Sequence, residues 1–356
     1  MGIEPQNLKM RTREQKRLFG LLQETKNGLA HLKTTTFKRR FQYENDLSSV
    51  GDPYVRDLSA ILSSKAYRRM GGKNQVASLP HTPHIRDRMT HVTEVMAIAG
   101  RLAEHLGLNV FLAQAIAAGH DIGHVPFGHQ GENYLRDRLN KPFTHEVMGV
   151  IVAQHIERRG KGLNCTFKTL DGMMRHSGKN ASVTMTPEAW IVRIADKIAY
   201  LFADYNDFKR LRWSCAKELD ELMRWFGPNQ RSRTMRICIE LCAESVTAGR
   251  VTFSESVTAR NFDRLRTLMY AEYVRVVEQN VARLLDPVYD FLERSKRVPP
   301  WLGIALLTDR EVCTLTERPH MLNSEEIMRT GLGEIIETTD RDLLYNIDPT
   351  NPDLDW

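Results

Sequence analysis

Residues 110–132 read VFLAQAIAAGHDIGHVPFGHQGE, and this stretch decides the fold class. Apart from Gln114 its first ten residues are apolar or small and show no alternation, which favours a buried helix over a strand. Asn109 stands where an N-cap belongs, since a short side-chain oxygen can accept from the free amides of a first turn. Past His120, Gly123, Pro126, Gly128 and Gly131 crowd the chain into a turn. On the N-terminal side, 86–106 reads as a helix closed by Gly107. Before it, Leu58, Ile61, Leu62 and Ala66 repeat at the helical period over 55–70, a segment ended by Gly71-Gly72 and followed by a loop with Pro80 and Pro83.

The C-terminal side continues the pattern. Thr186 can cap a helix whose first turn tolerates Pro187 and which runs to about Phe208. Further helices are expected at 218–225, 235–245 and 260–292, with a break at Asp286-Pro287 and another boundary at Pro299-Pro300. Residues 348–356 carry two prolines and read as extended. β-Branched residues come only in short patches such as 181–186, so the fold class is all-α.

The chain has 356 residues, a 42% hydrophobic fraction and 26% charged residues, enough for a substantial core with a polar surface. Its apolar runs, such as 110–118, stop well short of a membrane span, and the polar N-terminus has no apolar signal core; a cytoplasmic protein is expected. The five cysteines include no C-x-x-C pair, and Cys238 and Cys242, four apart on one helix face, read as small core residues. Charge is segregated: residues 1–40 hold ten Lys and Arg against three Glu, and residues 325–356 hold nine Asp and Glu against two Arg. A basic arm of this kind suits single-stranded DNA or phosphate steering; it also suits a solvated extension docking on the acidic tail of a neighbouring subunit.

Polar clusters interrupt the apolar helices at four places: Arg88-Met89-Thr90-His91, His120-Asp121 through His124, His129 and Glu132, then Thr144-His145, and Asp196 with Tyr200 and Asp204 down one helical stripe. A lone histidine on an apolar face is usually a core residue. An ordered His…His-Asp…Asp set, with eight of the twelve histidines between 81 and 145, is a different matter. Imidazole plus carboxylate suits Mn²⁺, Mg²⁺, Fe²⁺, Co²⁺ or Zn²⁺ in a site left open for water, the arrangement metal-assisted hydrolysis needs.

At these residues the sequence resembles the HD-domain superfamily and, within it, the deoxynucleoside triphosphate triphosphohydrolases of the dGTPase kind. The resemblance covers about residues 64–207. Arg68-Arg69-Met70 with Lys73-Asn74-Gln75-Val76 looks like that family's R-R-L…K-T-Q-V, and Arg88-Met89-Thr90-His91 like its R-L-T-H. His120 through Glu132 is close to H-D-I-G-H-P-P-F-G-H-x-G-E, and Ala195-Asp196 with Ile198, Tyr200 and Asp204 matches A-D-x-I-x-Y-x-x-x-D. Val125 replaces a proline, Asn74 a threonine, and Glu146 an expected Asn after His145.

The resemblance implies an HD-domain helical core with additional N- and C-terminal helices: a basic extension over 1–50, the core over 51–210, and a C-terminal helical region with an acidic tail over 211–356. It implies His91, His120, Asp121 and Asp196 as ligands of a divalent metal, Mn²⁺ foremost. His129 would be the general acid, Glu132 would orient it and raise its pKa, and His124 would lie beside the phosphates. Arg88 and Lys197 would hold the triphosphate, and His145 would border the same pocket. Gln75 and Asp204 would take the sugar 3′-hydroxyl, and Tyr200 would fill the space of a 2′-hydroxyl. Arg175, His176 and Lys179 read as structural. The implied reaction converts a deoxynucleoside triphosphate, dGTP favoured, to deoxynucleoside and inorganic triphosphate, in a homo-oligomer. Two other readings stay open: an HD phosphohydrolase acting on deoxynucleoside 5′-monophosphates, alarmones or cyclic nucleotides, and a nucleotide-sensing nucleic-acid-binding protein.

Overall fold

The computed structural model describes residues 13–41, 51–76, 82–276, 280–317 and 322–356. These residues form α-helices joined by turns, with two isolated β-bridges and no strand. The first half comprises α1 (Arg13–Glu24), α2 (Pro53–Leu62), α3 (Lys65–Arg69), α4 (Arg88–Leu106), α5 (Val110–Gly119), α6 (Gly128–Leu139), α7 (His145–Ile151), α8 (Phe167–Arg175) and α9 (Pro187–Arg210). The second comprises α10 (Lys217–Phe226), α11 (Gln230–Ala248), α12 (Val257–Val276), α13 (Ala282–Ser295), α14 (Pro300–Leu306), α15 (Asp309–Glu317) and three short helices, α16 (Ser324–Met328), α17 (Gly331–Thr338) and α18 (Arg341–Tyr345).

Helix ends fall where local chemistry puts them. Asn109 accepts from Leu112 N, Thr186 from Ala189 N, and Asp87 from Thr90 N, each satisfying an amide without an intrahelical partner. Gly107 ends α4 in the left-handed conformation at φ 80°.

Two expected helices break elsewhere. The 55–70 segment divides at Ser63-Ser64 into α2 and α3. Ser64 caps Tyr67 N, and the Glu157 carboxylate, arriving from a distant turn, takes the Lys65 and Ala66 amides. These side chains give the backbone an alternative to its helical ladder. The 260–292 segment is α12 and α13, and the break precedes Pro287, which lies inside α13. Residues 277–279 lie outside the described residues.

The apolar side chains gather in two cores. One joins Leu135, Met148 and Met173 to Leu285, Trp301 and Leu332; the other joins Leu102, Leu112 and Ile191 to Phe202, Phe226 and Leu265. Each core therefore draws on both halves of the chain. Helix α5 serves both, with Leu112 and Ile116 in the second and Ala118 in the first. The start of α4, the end of α5 and the middle of α9 bring polar side chains to those of α6, α7 and α8 along this seam, and burial on both sides fixes where they point.

The basic extension past Lys33 lies against the body as a strap. Arg39 pairs with buried Asp57 and donates to Pro53 O at 2.7 Å, Tyr54 Oη donates to Thr36 O at 2.8 Å, and Arg40 pairs with Asp353 of the acidic tail at 2.6 Å. The arm thus meets the acidic tail of its own chain, where docking on a neighbouring subunit's tail was expected. Residues 1–12 and 42–50 of the extension lie outside the described residues. Residues 348–356 are irregular, as expected; Gln154 Nε2 donates to Asp353 O at 2.9 Å and Trp356 Nε1 donates to Gln154 Oε1 at 3.1 Å. Among the described residues, no helix is long and apolar enough to cross a membrane.

Candidate metal centre and substrate pocket

Helix α4 carries Arg88 and His91 on its first turns, α5 ends at His120 with Asp121 following, and α9 carries Asp196 near its middle. The three elements converge. His91 Nε2 lies 3.0 Å from Asp196 Oδ1 and 3.9 Å from Asp121 Oδ2; His120 Nε2 lies 3.4 Å from Asp121 Oδ1 and 3.8 Å from Asp196 Oδ1. Donors about 2.0–2.2 Å from one ion are spaced about 3–4 Å apart, so His91, His120 and Asp196 are spaced for a single cation, with Asp121 adjoining His120.

Ring orientation supports the same fit. A carbonyl can only accept, so His120 Nδ1, 2.7 Å from Ala117 O, carries the hydrogen and leaves Nε2 bare. That Nε2 is buried and has no hydrogen-bond partner, a costly state unless something electrophilic takes its lone pair. Burial alone would push the Asp121 carboxyl up, but His120, His124 and Arg88 outweigh it and hold it well below its ordinary value. Asp196 is likewise lowered, burial being outweighed by His91 and His120. The donors are nitrogen and hard oxygen without thiolate, which fits a catalytic divalent ion better than structural zinc.

Beside this centre stand His124, His129, Glu132, His145 and His176. The rings of His124 and His145 stack at 3.7 Å, and exposed His129 meets them edge-on at 5.4 and 5.8 Å. Glu132 is buried, yet its Oε1 pairs with His145 Nδ1 at 2.9 Å rather than with His129. The expected His129–Glu132 pair is therefore a His145–Glu132 pair. Both partners are buried on adjoining elements, whereas His129 faces outward one turn earlier on α6. Burial alone would strip the proton from His145, but Glu132 and Glu146 push it up to about 10.

His176 belongs with the centre, against the structural reading of its sequence neighbourhood. Its Nδ1 lies 2.7 Å from Met173 O, and its Nε2 lies 3.2 Å from His145 Nε2 and 3.8 Å from Asp121 Oδ1. His120, Asp121 and His176 form one further group of donors close enough for a cation, and Asp121, His124 and His145 another. Its neighbour Arg175 pairs with Asp171 at 2.6 Å and Lys179 is exposed, as structural residues would be. Like His120, His176 ends its helix with Nδ1 on the carbonyl three residues back, a contact visible only in the fold.

Gly123 lets the turn reach α7. A Cβ there would lie 2.1 Å from Gly149 N and 2.2 Å from His145 O, both backbone atoms that cannot move aside. Gly123→Ala is expected to destabilise the fold by about 3 kcal/mol. An unchanged Tm would contradict that contact.

The remaining assignments lie as follows. Arg88 is buried, with Nη1 2.6 Å from Asp121 Oδ2, and Gln75 has a buried amide oxygen without a partner. Lys197, which burial and the neighbouring Arg193 and Arg266 push down to about 8, lies on α9 next to Asp196. Tyr200 Oη is 3.4 Å from Tyr270 Oη. Asp204 is engaged on both oxygens, Oδ1 by Arg86 and Oδ2 by Tyr273 at 2.6 Å, so a sugar hydroxyl would use their remaining lone pairs. Arg86, Arg266, Tyr270 and Tyr273 were not anticipated. The last three follow one face of α12, a stripe visible only once that helix is placed against α9.

The HD domain family model matches residues 88–201, the segment that carries His91, His120, Asp121 and Asp196. A deoxyguanosinetriphosphate triphosphohydrolase-like protein of Caldanaerobacter subterraneus subsp. tengcongensis is 31% identical over 297 residues, 80% of this chain and 87% of the relative. One from Clostridium perfringens strain SM101 is 36% identical over 253 residues, covering 67% and 73%. Another, from Clostridium tetani, is 36% identical over 216 residues, covering 58% and 61%. The likeness extends well past the metal centre into the C-terminal helices, and on that breadth the chain belongs to the HD-domain superfamily and, within it, to the deoxyguanosinetriphosphate triphosphohydrolase-like family.

Proposed function

We propose that the protein hydrolyses deoxynucleoside triphosphates, dGTP foremost, to deoxynucleoside and inorganic triphosphate, with Mn²⁺ held by His91, His120, Asp121 and Asp196. The observation that carries this reading is the buried Arg88 guanidinium beside Asp121, a phosphate-sized step from four convergent ligand side chains. When bound there, a divalent ion supplies Lewis acidity and a lowered pKa for water.

The chain's own residues do the rest by position and charge. Arg88 offers a planar fork to phosphate oxygens, with Lys197 offsetting charge further along the tail. His129, exposed on the first turn of α6, can reach solvent for a proton and deliver it to the departing 5′-oxygen. Glu132 and His145, as a buried ion pair, keep the wall behind it charged and fixed. Gln75 presents an unpaired amide oxygen to the sugar, and Tyr200 with Tyr270 closes the face where a 2′-hydroxyl would project.

With Mn²⁺ and dGTP, the purified protein is expected to release inorganic triphosphate and deoxyguanosine. Release of pyrophosphate or orthophosphate alone would sink this reading. Running the four dNTPs and GTP against Mn²⁺, Mg²⁺ and Co²⁺ in the same assay sets base and sugar selectivity.

A further inference from the structure

Asp309, the first residue of α15, is buried and lies outside every motif noted above. Its Oδ1 accepts from Phe127 N at 3.0 Å, and its Oδ2 accepts from Asn74 N at 3.1 Å and Asn74 Nδ2 at 2.9 Å. One carboxylate thus holds two loops, at Asn74 and at Phe127, that are far apart in sequence. Phe127 caps α6 in the left-handed conformation at φ 62°, which is strained for a residue with a side chain. Two turns of consequence hang on that cap, because His129 and Glu132 follow it on α6. Asn74 in turn precedes Gln75, and its carbonyl faces Arg88 Nη2 at 3.4 Å. A second strut lies alongside: buried Lys73 donates to His124 O and to Ala305 O, tying the same turn to α14.

We propose that Asp309 is a positioning residue through which the C-terminal helices set His129 in register with the Gln75 loop. This rests on the reading of His129 as the general acid. Two backbone amides and one side-chain amide converging on a buried carboxylate would, without it, be left unsatisfied in a dry setting. The left-handed Phe127 would then relax, tilting the start of α6 and moving His129 off line. A displacement of about 1 Å in such a group costs on the order of 100-fold in rate.

The test is a double-mutant cycle on kcat for dGTP, using Asp309→Ala, His129→Ala and the pair in the full-length chain, with bound Mn²⁺ measured throughout. Asp309→Ala is expected to lower kcat about 30- to 100-fold with Mn²⁺ still bound, and to cost less than about threefold when His129 is already Ala. Asp309→Asn keeps one acceptor oxygen and is expected to lose less than Asp309→Ala; it also stands in should the alanine variant fail to fold. Equal losses in both backgrounds, or a kcat unchanged by Asp309→Ala, would overturn the proposal. Should His129→Ala turn over like the unmodified protein, the acid assignment falls and takes this route with it, an outcome distinct from additivity.

Discussion

Replacing His120 with alanine is expected to abolish metal-dependent turnover, with a fall of at least about 10³-fold in kcat/KM. The effect follows from placement. His120 Nε2 is buried, partnerless and pinned toward both carboxylates by its bond to Ala117 O. Outer partners of metal ligands already cost about 10- to 100-fold in affinity when removed, so loss of a ligand itself should exceed that range. Mn²⁺ content of the purified variant, read beside its rate, checks the claim; a variant retaining both would remove His120 from the ligand set.

Arg88→Ala is expected to lower kcat/KM for dGTP by about 10³-fold, in line with the few kcal/mol that a buried, hydrogen-bonded charge pair is worth to its partner. Two effects combine. Arg88 would no longer offer its fork to phosphate, and Asp121, only 5% exposed, would lose its nearest cation. A bound divalent ion can replace that second contribution but not the first. The metal-loaded variant should therefore regain stability without regaining triphosphate affinity. Arg88→Lys keeps the charge without the bidentate geometry, so only partial recovery is expected. A KM for dGTP unmoved by Arg88→Ala would favour an HD phosphohydrolase acting on a monophosphate instead.

What could be read from the residues alone depended on how local the governing chemistry is. Asn109, Thr186, Pro187 and Gly107 mark helix ends because capping and left-handed termination act within a single turn. The break at Ser63-Ser64 was hidden because, beside the local Ser64 cap, the carboxylate that takes the first α3 amides belongs to Glu157, some ninety positions on. Pro287 misled for the opposite reason: a proline can sit within a helix when neighbours absorb the lost hydrogen bond. The convergence of His91, His120 and Asp196 was legible because few residue types bind hard cations, so their ordered recurrence is hard to imitate. The partner of Glu132 was not legible, since His129 and His145 are equally plausible until α6 and α7 are packed. His176 and the α12 tyrosines required the seam between the two cores, which no spacing along the chain encodes. Asp309 is the extreme case: a single aspartate whose importance resides wholly in two loops more than 180 positions away.

The pairing of Arg40 with Asp353 spans 313 residues, with both side chains about one-third exposed. Closing a loop of that length in an unfolded chain costs about 5 kcal/mol in entropy, far beyond the fraction of a kcal/mol an exposed ion pair returns. The strap and tail can therefore join only after the helices have already brought their anchor points together. Their union is a late event in assembly and an early one in release on warming. Slow hydrogen exchange in α4, α5 and α9 would accordingly coexist with rapid exchange across 348–356.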